Sequence, residues 1–295
     1  MEKELREIFV QADIDWPSIN FNRYASKKVV IKYGGSTVET EDGHKFLSDD
    51  LKFLRFLGIK PLIVHGGRPQ IDAVLHQIGK KEVFEEGLRV TDLETIKIAK
   101  MVLSGGVNKD IVGYLCEAGI NAVGLSGIDG NIALAKKYEK PVISDGHIIK
   151  TLDLGYVGEP DKLDSSLLNL LLEENYTPVL APISRGENGA FYNVNADVFA
   201  GALAADLKAE FLLFLTDKPG VLDKAGSLIK QMSIQDAYSY IEDGTISGGM
   251  IPKVQTCICA IEKGVGAVAI LNGQEPHAAL LGLFRDSIVG TLITR

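Results

Sequence analysis

Two glycine pairs follow directly on apolar, β-branched runs. Val29-Val30-Ile31 leads through Lys32 and Tyr33 into Gly34-Gly35, and Pro61-Leu62-Ile63-Val64 leads into His65-Gly66-Gly67. In open α/β sheets ligands sit beyond the carboxyl ends of strands, where loop N–H groups and helix N-termini favour anions. A single glycine pair after a strand is most often only a tight turn. Two of them, with Lys32 at the end of the first strand, describe two anion cradles side by side. A buried, unpaired ammonium is costly, so Lys32 either meets an anion or snorkels out from its strand end.

Two further clusters lie in the carboxyl half. Tyr192-Asn193-Val194-Asn195-Ala196-Asp197 precedes an Ala-rich helix, with Asn195 placed as N-cap and Asp197 as a first-turn acid. The same amide and acid groups would also suit a polar ligand. Ser247-Gly248-Gly249-Met250-Ile251-Pro252-Lys253 opens another helix. Pro252 belongs in a first turn and the glycines let a phosphate approach. Lys253 stands at the wrong end for the helix dipole, so it is either solvated or held by an anion.

Other chemistries lack their residues. No G-x-x-x-x-G-K-[ST] run occurs, nor the H-R-D and D-F-G pair of protein kinases. Gly264-Val265-Gly266-Ala267-Val268-Ala269 fits a loose dinucleotide fingerprint but follows a helix and precedes a strand, the reverse of what that site needs. Cys257 and Cys259 face different ways on a helix, and the five histidines have no ligand spacing, so no metal site is expected.

Positioning these groups requires alternating strands and helices from residue 27 onward, the pattern of a mostly parallel α/β sheet covered by helices on both faces. Expected helices follow Gly67 (Ile71, Val74, Leu75 and Ile78 on one face), start at a capping box Thr91-Asp92-Leu93-Glu94, and recur near 107–118, 167–174, 196–208 and 250–263. Short strands and turns are expected from 131 to about 160, and a hairpin turn at Glu187-Asn188-Gly189. Ahead of the sheet, Leu5, Ile8, Phe9 and Ala12 make an amphipathic helix in an extension spanning 1–26. The polar stretch near 184–196 divides two lobes, 27–190 and 191–295.

The chain has 295 residues, 46% hydrophobic and 24% charged, with net charge −8. Disorder is excluded, and about three quarters of the unfolded surface can be buried at this size. Three cysteines form no disulfide framework and favour a reducing compartment. With no signal core and no apolar run of membrane-spanning length, a cytoplasmic location is expected. The acidic balance argues against nucleic acid.

In this order the segments resemble the amino acid kinase family. The resemblance rests on Ile31–Gly35, His65–Gly67, Gly87–Thr91, Val107–Lys109, Gly124–Gly127, Asp153–Gly158, Tyr192–Asp197, Leu215–Asp217 with Pro219–Leu222, and Gly244–Lys253. It implies an open αβα fold of two lobes. The implied activity is transfer of the γ-phosphoryl group of ATP, with Mg²⁺ carried by the nucleotide, to the side-chain carboxylate of N-acetyl-L-glutamate. Lys32 and Lys253 would then flank the moving phosphoryl group, with Asp197 orienting both. Gly34, Gly35 and Gly249 would donate to phosphate oxygens, and Thr216, Asp217 and Gly220 would line the nucleotide pocket. Gly66 and Gly67 would receive one substrate carboxylate, Arg89 the other, and Asn193 the acetamido end.

Departures from the family pattern bear on substrate and regulation. Arg68 stands where a third glycine is usual; it is strained if that position needs φ > 0, and otherwise adds a positive charge beside the cradle. Arginine-inhibited members carry an N-terminal helix like residues 2–12 that interlaces dimers into a hexamer. They also carry a C-terminal effector segment, which His277 matches while Gly282 and Ser287-Ile288 do not. A homodimer or hexamer is expected, with arginine as a candidate effector. The alternatives are a sister kinase for a carrier-bound aminoadipate, aspartate or carbamate, and a sensing protein without turnover.

Overall fold

The computed structural model describes residues 10, 24–34, 41–81, 83–85, 88–144, 147–284 and 289–295. The expected N-terminal helix (residue 10 apart), Gly35, Gly87 and Ser287-Ile288 lie outside them.

Eight strands form the central sheet: β1 (Lys28–Tyr33), β2 (Lys60–His65), β3 (Ala122–Ser126), β4 (Thr177–Ala181), β5 (Phe211–Thr216), β6 (Gln231–Ser233), β7 (Ala267–Asn272) and β8 (Thr291–Thr294). Their spatial order is β6-β8-β7-β5-β1-β2-β4-β3. Every pairing is parallel except β7 with β8. A parallel sheet covered on both faces reads as continuous apolar runs, and β1, β4 and β5 are such runs.

The pleat sorts these runs between two cores. Val30, Leu212 and Phe214 face one side, under α6 (Ala196–Asp206) and α8 (Met250–Glu262), where α5 (Ser166–Glu173) and α7 (Ile234–Glu242) also pack. Val29, Ile31, Leu213 and Leu215 face the other, under α1 (Glu41–Phe56), α4 (Asn108–Glu117) and α9 (Ala278–Phe284). Lys32 alternates with Ile31 and so shares the α6/α8 side with Val30. On the opposite side, Asp50 of α1 ties down the start of α9. Its Oδ1 lies 2.7 Å from His277 Nδ1 and its Oδ2 accepts the Ala279 N–H at 3.1 Å. Gly282 packs so closely on Leu271 that no Cβ fits between them.

A smaller layer rides on this sheet. The segment expected to hold short strands is one long hairpin, Ala133–Ser144 against His147–Leu163, closed into a barrel with Ile183–Arg185 and Phe191–Val194. Register shifts at Leu134/Ala135, Lys137/Glu139 and Val142/Ile143 break the side-chain alternation, which is why the sequence reads as pieces. The expected turn at Glu187–Gly189 joins the last two strands, with Gly189 at φ 79°.

Helix α2 (Arg68–Gln77) follows β2 directly. The capping box expected at Thr91 is displaced by one residue. Thr91 N and O bond to Leu154 O and Tyr156 N at 2.9 and 2.7 Å, so Asp92 becomes the cap of α3 (Leu93–Met101), accepting the Thr95 N–H at 2.8 Å. A π-helical turn, Val102–Val107, carries α3 into α4 without a break. Among the described residues no helix is long and apolar enough to cross a membrane.

Candidate active site

Because β5, β1 and β2 are parallel neighbours, their carboxyl ends open on one edge of the sheet. Lys32 stands there between its register partners Phe214 and Val64. From the facing helices come Asp197, in the first turn of α6, and Lys253, in the first turn of α8. Asn195 caps α6 as expected, accepting the N–H groups of Asp197 and Val198 at 2.8 and 3.2 Å.

Lys32 Nζ lies 3.1 Å from Asp197 Oδ1, and Lys253 Nζ lies 2.5 Å from Asp197 Oδ2. All three side chains are largely buried. Burial alone would raise the Asp197 pKa, but the charges of Lys32 and then Lys253 hold it below the usual carboxylate value. The Lys253 bond is aligned, whereas the Lys32 contact is an ion pair without hydrogen-bond alignment, leaving Oδ1 unsatisfied in that sense. Lys253 Nζ also sits 5.1 Å from the centre of the Phe214 ring. The result is an anion held between two cations that would otherwise repel.

Two clefts meet at this triad. One, of about 580 Å³, is lined by Lys32, Gly66, Gly67, Arg89, Asn193 and Asp197. The other, of about 490 Å³, is lined by Thr216, Asp217, Gly220, Gly249 and Lys253. Asp217 borders both. Of the anticipated nucleotide-side residues, Gly34 lies under Lys32, where an added Cβ would stand 2.7 Å from its Nζ and 3.7 Å from Gly66 N. The two glycine loops are therefore neighbours. At Gly220 a Cβ would meet Leu228 Cδ1 and Thr291 Oγ1 at 2.7 Å, so only glycine lets the loop lie this close to β8.

In the first cleft the Gly66 N–H is already bonded to Tyr33 O at 3.0 Å. That leaves Gly67, at the start of α2, to present a backbone N–H group to the cleft. A Cβ at Gly67 would stand 2.5 Å from Leu103 Cδ2 and 3.2 Å from Val107 Cγ2, so a larger residue there would displace side chains of the π-helical turn. Arg68 has no positive φ, so the strained alternative is excluded and its charge stands beside the cradle. Asn193 enters from the barrel strand Phe191–Val194.

Three features of the site were not anticipated. Asp72, one turn into α2, forms an ion pair with the Arg89 guanidinium, and Arg68 Nε lies 3.8 Å from its other oxygen. Arg-x-x-x-Asp at helical spacing was the available signal. His65, fully buried, is the second. Asn108 accepts Lys109 Nζ on Oδ1 at 3.1 Å and turns its amide nitrogen to Val179 O at 2.9 Å and His65 Nε2 at 3.1 Å. The ring proton therefore sits on Nδ1, which donates to Gly66 O at 2.8 Å. Burial pushes the His65 pKa down to about 4, against the Gly66 bond and with help from the Lys109 charge. The third is the π-helical turn, whose Leu103 forms part of the first cleft's wall.

Among the described residues no group of three His, Cys, Asp or Glu side chains is placed to hold a metal ion.

A model of the amino acid kinase family matches residues 27–272. The acetylglutamate kinase of Nitrobacter hamburgensis is 52% identical over 275 residues, covering 93% of this chain and 92% of that one. That of Brucella anthropi is 52% identical over 272 residues, 92% of each. Among solved structures, an N-acetylglutamate synthase from Neisseria gonorrhoeae, complexed with coenzyme A and N-acetyl-glutamate, superposes at TM-score 0.80 and 26% identity over 98% of this chain. This chain spans 63% of that synthase chain. Carbamate kinase from Giardia lamblia bound to AMP-PNP, at TM-score 0.66 and 16% identity over 92% of this chain and 99% of that one, shares the fold.

Proposed function

This chain belongs to the amino acid kinase family, and on that premise we propose that it transfers the γ-phosphoryl group of ATP to the side-chain carboxylate of N-acetyl-L-glutamate. The product is an acyl phosphate, the second intermediate of arginine biosynthesis. The observation that carries the reading is the pair of ammonium groups on one carboxylate, at the junction of two clefts. The names of the relatives support the choice of substrate.

Phosphoryl transfer needs in-line placement and neutralisation of charge on the moving group, not covalent help. The acceptor carboxylate is ionised at pH 7, so no general base is required. The obstacle is the meeting of two anions. In this reading Lys32 reaches the phosphoryl group from the acceptor cleft and Lys253 from the nucleotide cleft, while Asp197 keeps both ammonium groups charged and aimed. The magnesium ion arrives with the nucleotide and adds to the same neutralisation. Gly67 receives the reacting carboxylate, Arg89 the other one and Asn193 the acetamido group, while Gly34 and Gly249 face the phosphates. Thr216, Asp217 and Gly220 line the nucleotide. No covalent enzyme intermediate forms.

The test is ADP release dependent on N-acetylglutamate, with free glutamate as control and aspartate, carbamate and carrier-bound aminoadipate as competing acceptors. Release with N-acetylglutamate alone is expected; preference for another acceptor overturns the substrate assignment. A cytoplasmic location, assembly as a homodimer or a trimer of dimers, and a response to arginine belong to the same proposal. Light scattering and an arginine titration test the last two.

A further inference from the structure

The acceptor cleft has a charge arrangement that the transfer reaction does not itself call for. Arg89 is nearly buried, its side chain 9% exposed, and the carboxylate against it belongs to the chain: Asp72 of α2. The same Asp72 receives Arg68 on its other oxygen at 3.8 Å, one helical turn away. Both arginines line the cleft. Two guanidinium groups thus converge on one carboxylate, which repeats within the acceptor cleft the logic of Lys32, Lys253 and Asp197.

We propose that Asp72 is the positioning residue of the acceptor cleft, and that with Arg68 it sets the selectivity for an acyl amino acid carrying a second carboxylate. Asp72 holds the Arg89 guanidinium in place at the wall of the cleft. Arg68, beside this pair, adds a second positive charge at the cleft where that carboxylate arrives. A planar guanidinium meets a carboxylate through two parallel bonds only when its plane is held, and an anchored fork loses less freedom on binding. Burial, and then the charge of Arg68, act against the Arg89 cation, so an anion fixed beside it is what the site requires. Arg68 itself is 65% exposed, which makes its contribution a screened, long-range attraction, not a fixed bond.

This inference rests on the functional reading above, and the experiment separates the two. Turnover is measured with N-acetylglutamate and with its α-carboxamide, for the wild type, Asp72→Asn and Arg68→Gly, between about 20 and 300 mM salt, a range that shortens the screening length severalfold. Asp72→Asn is expected to raise KM for N-acetylglutamate about tenfold with kcat changed less than about threefold, the worth of one oriented charged contact. It is also expected to shrink the preference for acid over amide by a similar factor. Arg68→Gly is expected to raise KM about threefold at low salt and to flatten its salt dependence, as for one half-exposed charge. A KM unmoved in Asp72→Asn, or a loss confined to kcat, overturns the positioning role. A salt slope in Arg68→Gly equal to the wild type overturns the role of Arg68. If Asp72→Asn does not fold, the Arg68→Gly slope decides. A wild type without N-acetylglutamate-dependent turnover overturns the functional reading, and this inference with it.

Discussion

A carboxylate receiving two ammonium groups stays ionised although burial opposes it, and Asp197 does so because Lys32 and Lys253 approach its two oxygens. Removing either lysine leaves the other on the carboxylate, so the fold should survive while one cation is withdrawn from the moving phosphoryl group. Lys32→Ala or Lys253→Ala is expected to lower kcat at least about 10²-fold, the scale of one lost preorganised donor. Near-normal kcat in both, measured by ADP release, would remove the assignment. His65 supports the site differently, as a neutral ring that orients the Gly66 carbonyl. Its folded pKa, about 4, lies below the unfolded value. Between those values the unfolded chain binds more protons, so stability falls as pH drops from 6.5 through 4, by on the order of 3 kcal/mol at the low end. Urea midpoints at pH 7 and pH 5 should show that loss in the wild type and less of it in His65→Asn. Equal losses would mean that the ring is not held neutral.

The elements that carry these residues differ in how plainly they could be read. Lys32 behind Val29-Val30-Ile31 marks a buried strand, and its alternation with Ile31 puts it on the face of Val30, which the structure shows under α6 and α8. Asn195 as cap and Pro252 in a first turn were legible because caps and first turns depend on local backbone chemistry. What stayed hidden depends on contacts across the chain: Thr91 gives up its capping position to pair with Leu154 and Tyr156, and Asn108 meets His65 from 43 residues away. The long barrel hairpin was hidden by its own bulges. The glycine loops belong to this scale as well. Gly34 is small because the Lys32 side chain folds over it, with Nζ 2.7 Å from where a Cβ would be. Gly34→Ala therefore displaces an ammonium group without touching the core. It is expected to cost up to about 10²-fold in kcat, the penalty for a misplacement near 1 Å, with a melting temperature within about 1 °C of the wild type, below the roughly 2 °C that 1 kcal/mol produces at this size. A melting temperature that falls together with activity would show that Gly34 serves the fold instead.

At the scale of the whole molecule, charge poses a question that residues alone do not. The chain carries a net −8, yet in the proposed reading it must draw two anions into adjoining clefts. If net charge governed their approach, added salt would screen a repulsion and lower both KM values. The acceptor cleft, however, gathers Lys32, Arg68 and Arg89 against Asp197 and Asp217, whereas in the nucleotide cleft Lys218 and Lys253 are matched by Asp217 and Asp223. Concave, low-dielectric walls focus the local field, while charges on the far surface lie beyond a screening length of about 10 Å at 0.1 M salt. At the acceptor cleft the local arrangement should therefore win, with the opposite sign: KM for N-acetylglutamate is expected to rise, about threefold, between roughly 10 and 150 mM salt. The kcat value should change less, because the triad is buried and little screened. Constant free magnesium keeps nucleotide charge out of the comparison. A KM for N-acetylglutamate that falls with salt would mean that the acidic surface, not the basic acceptor cleft, sets the field this substrate meets.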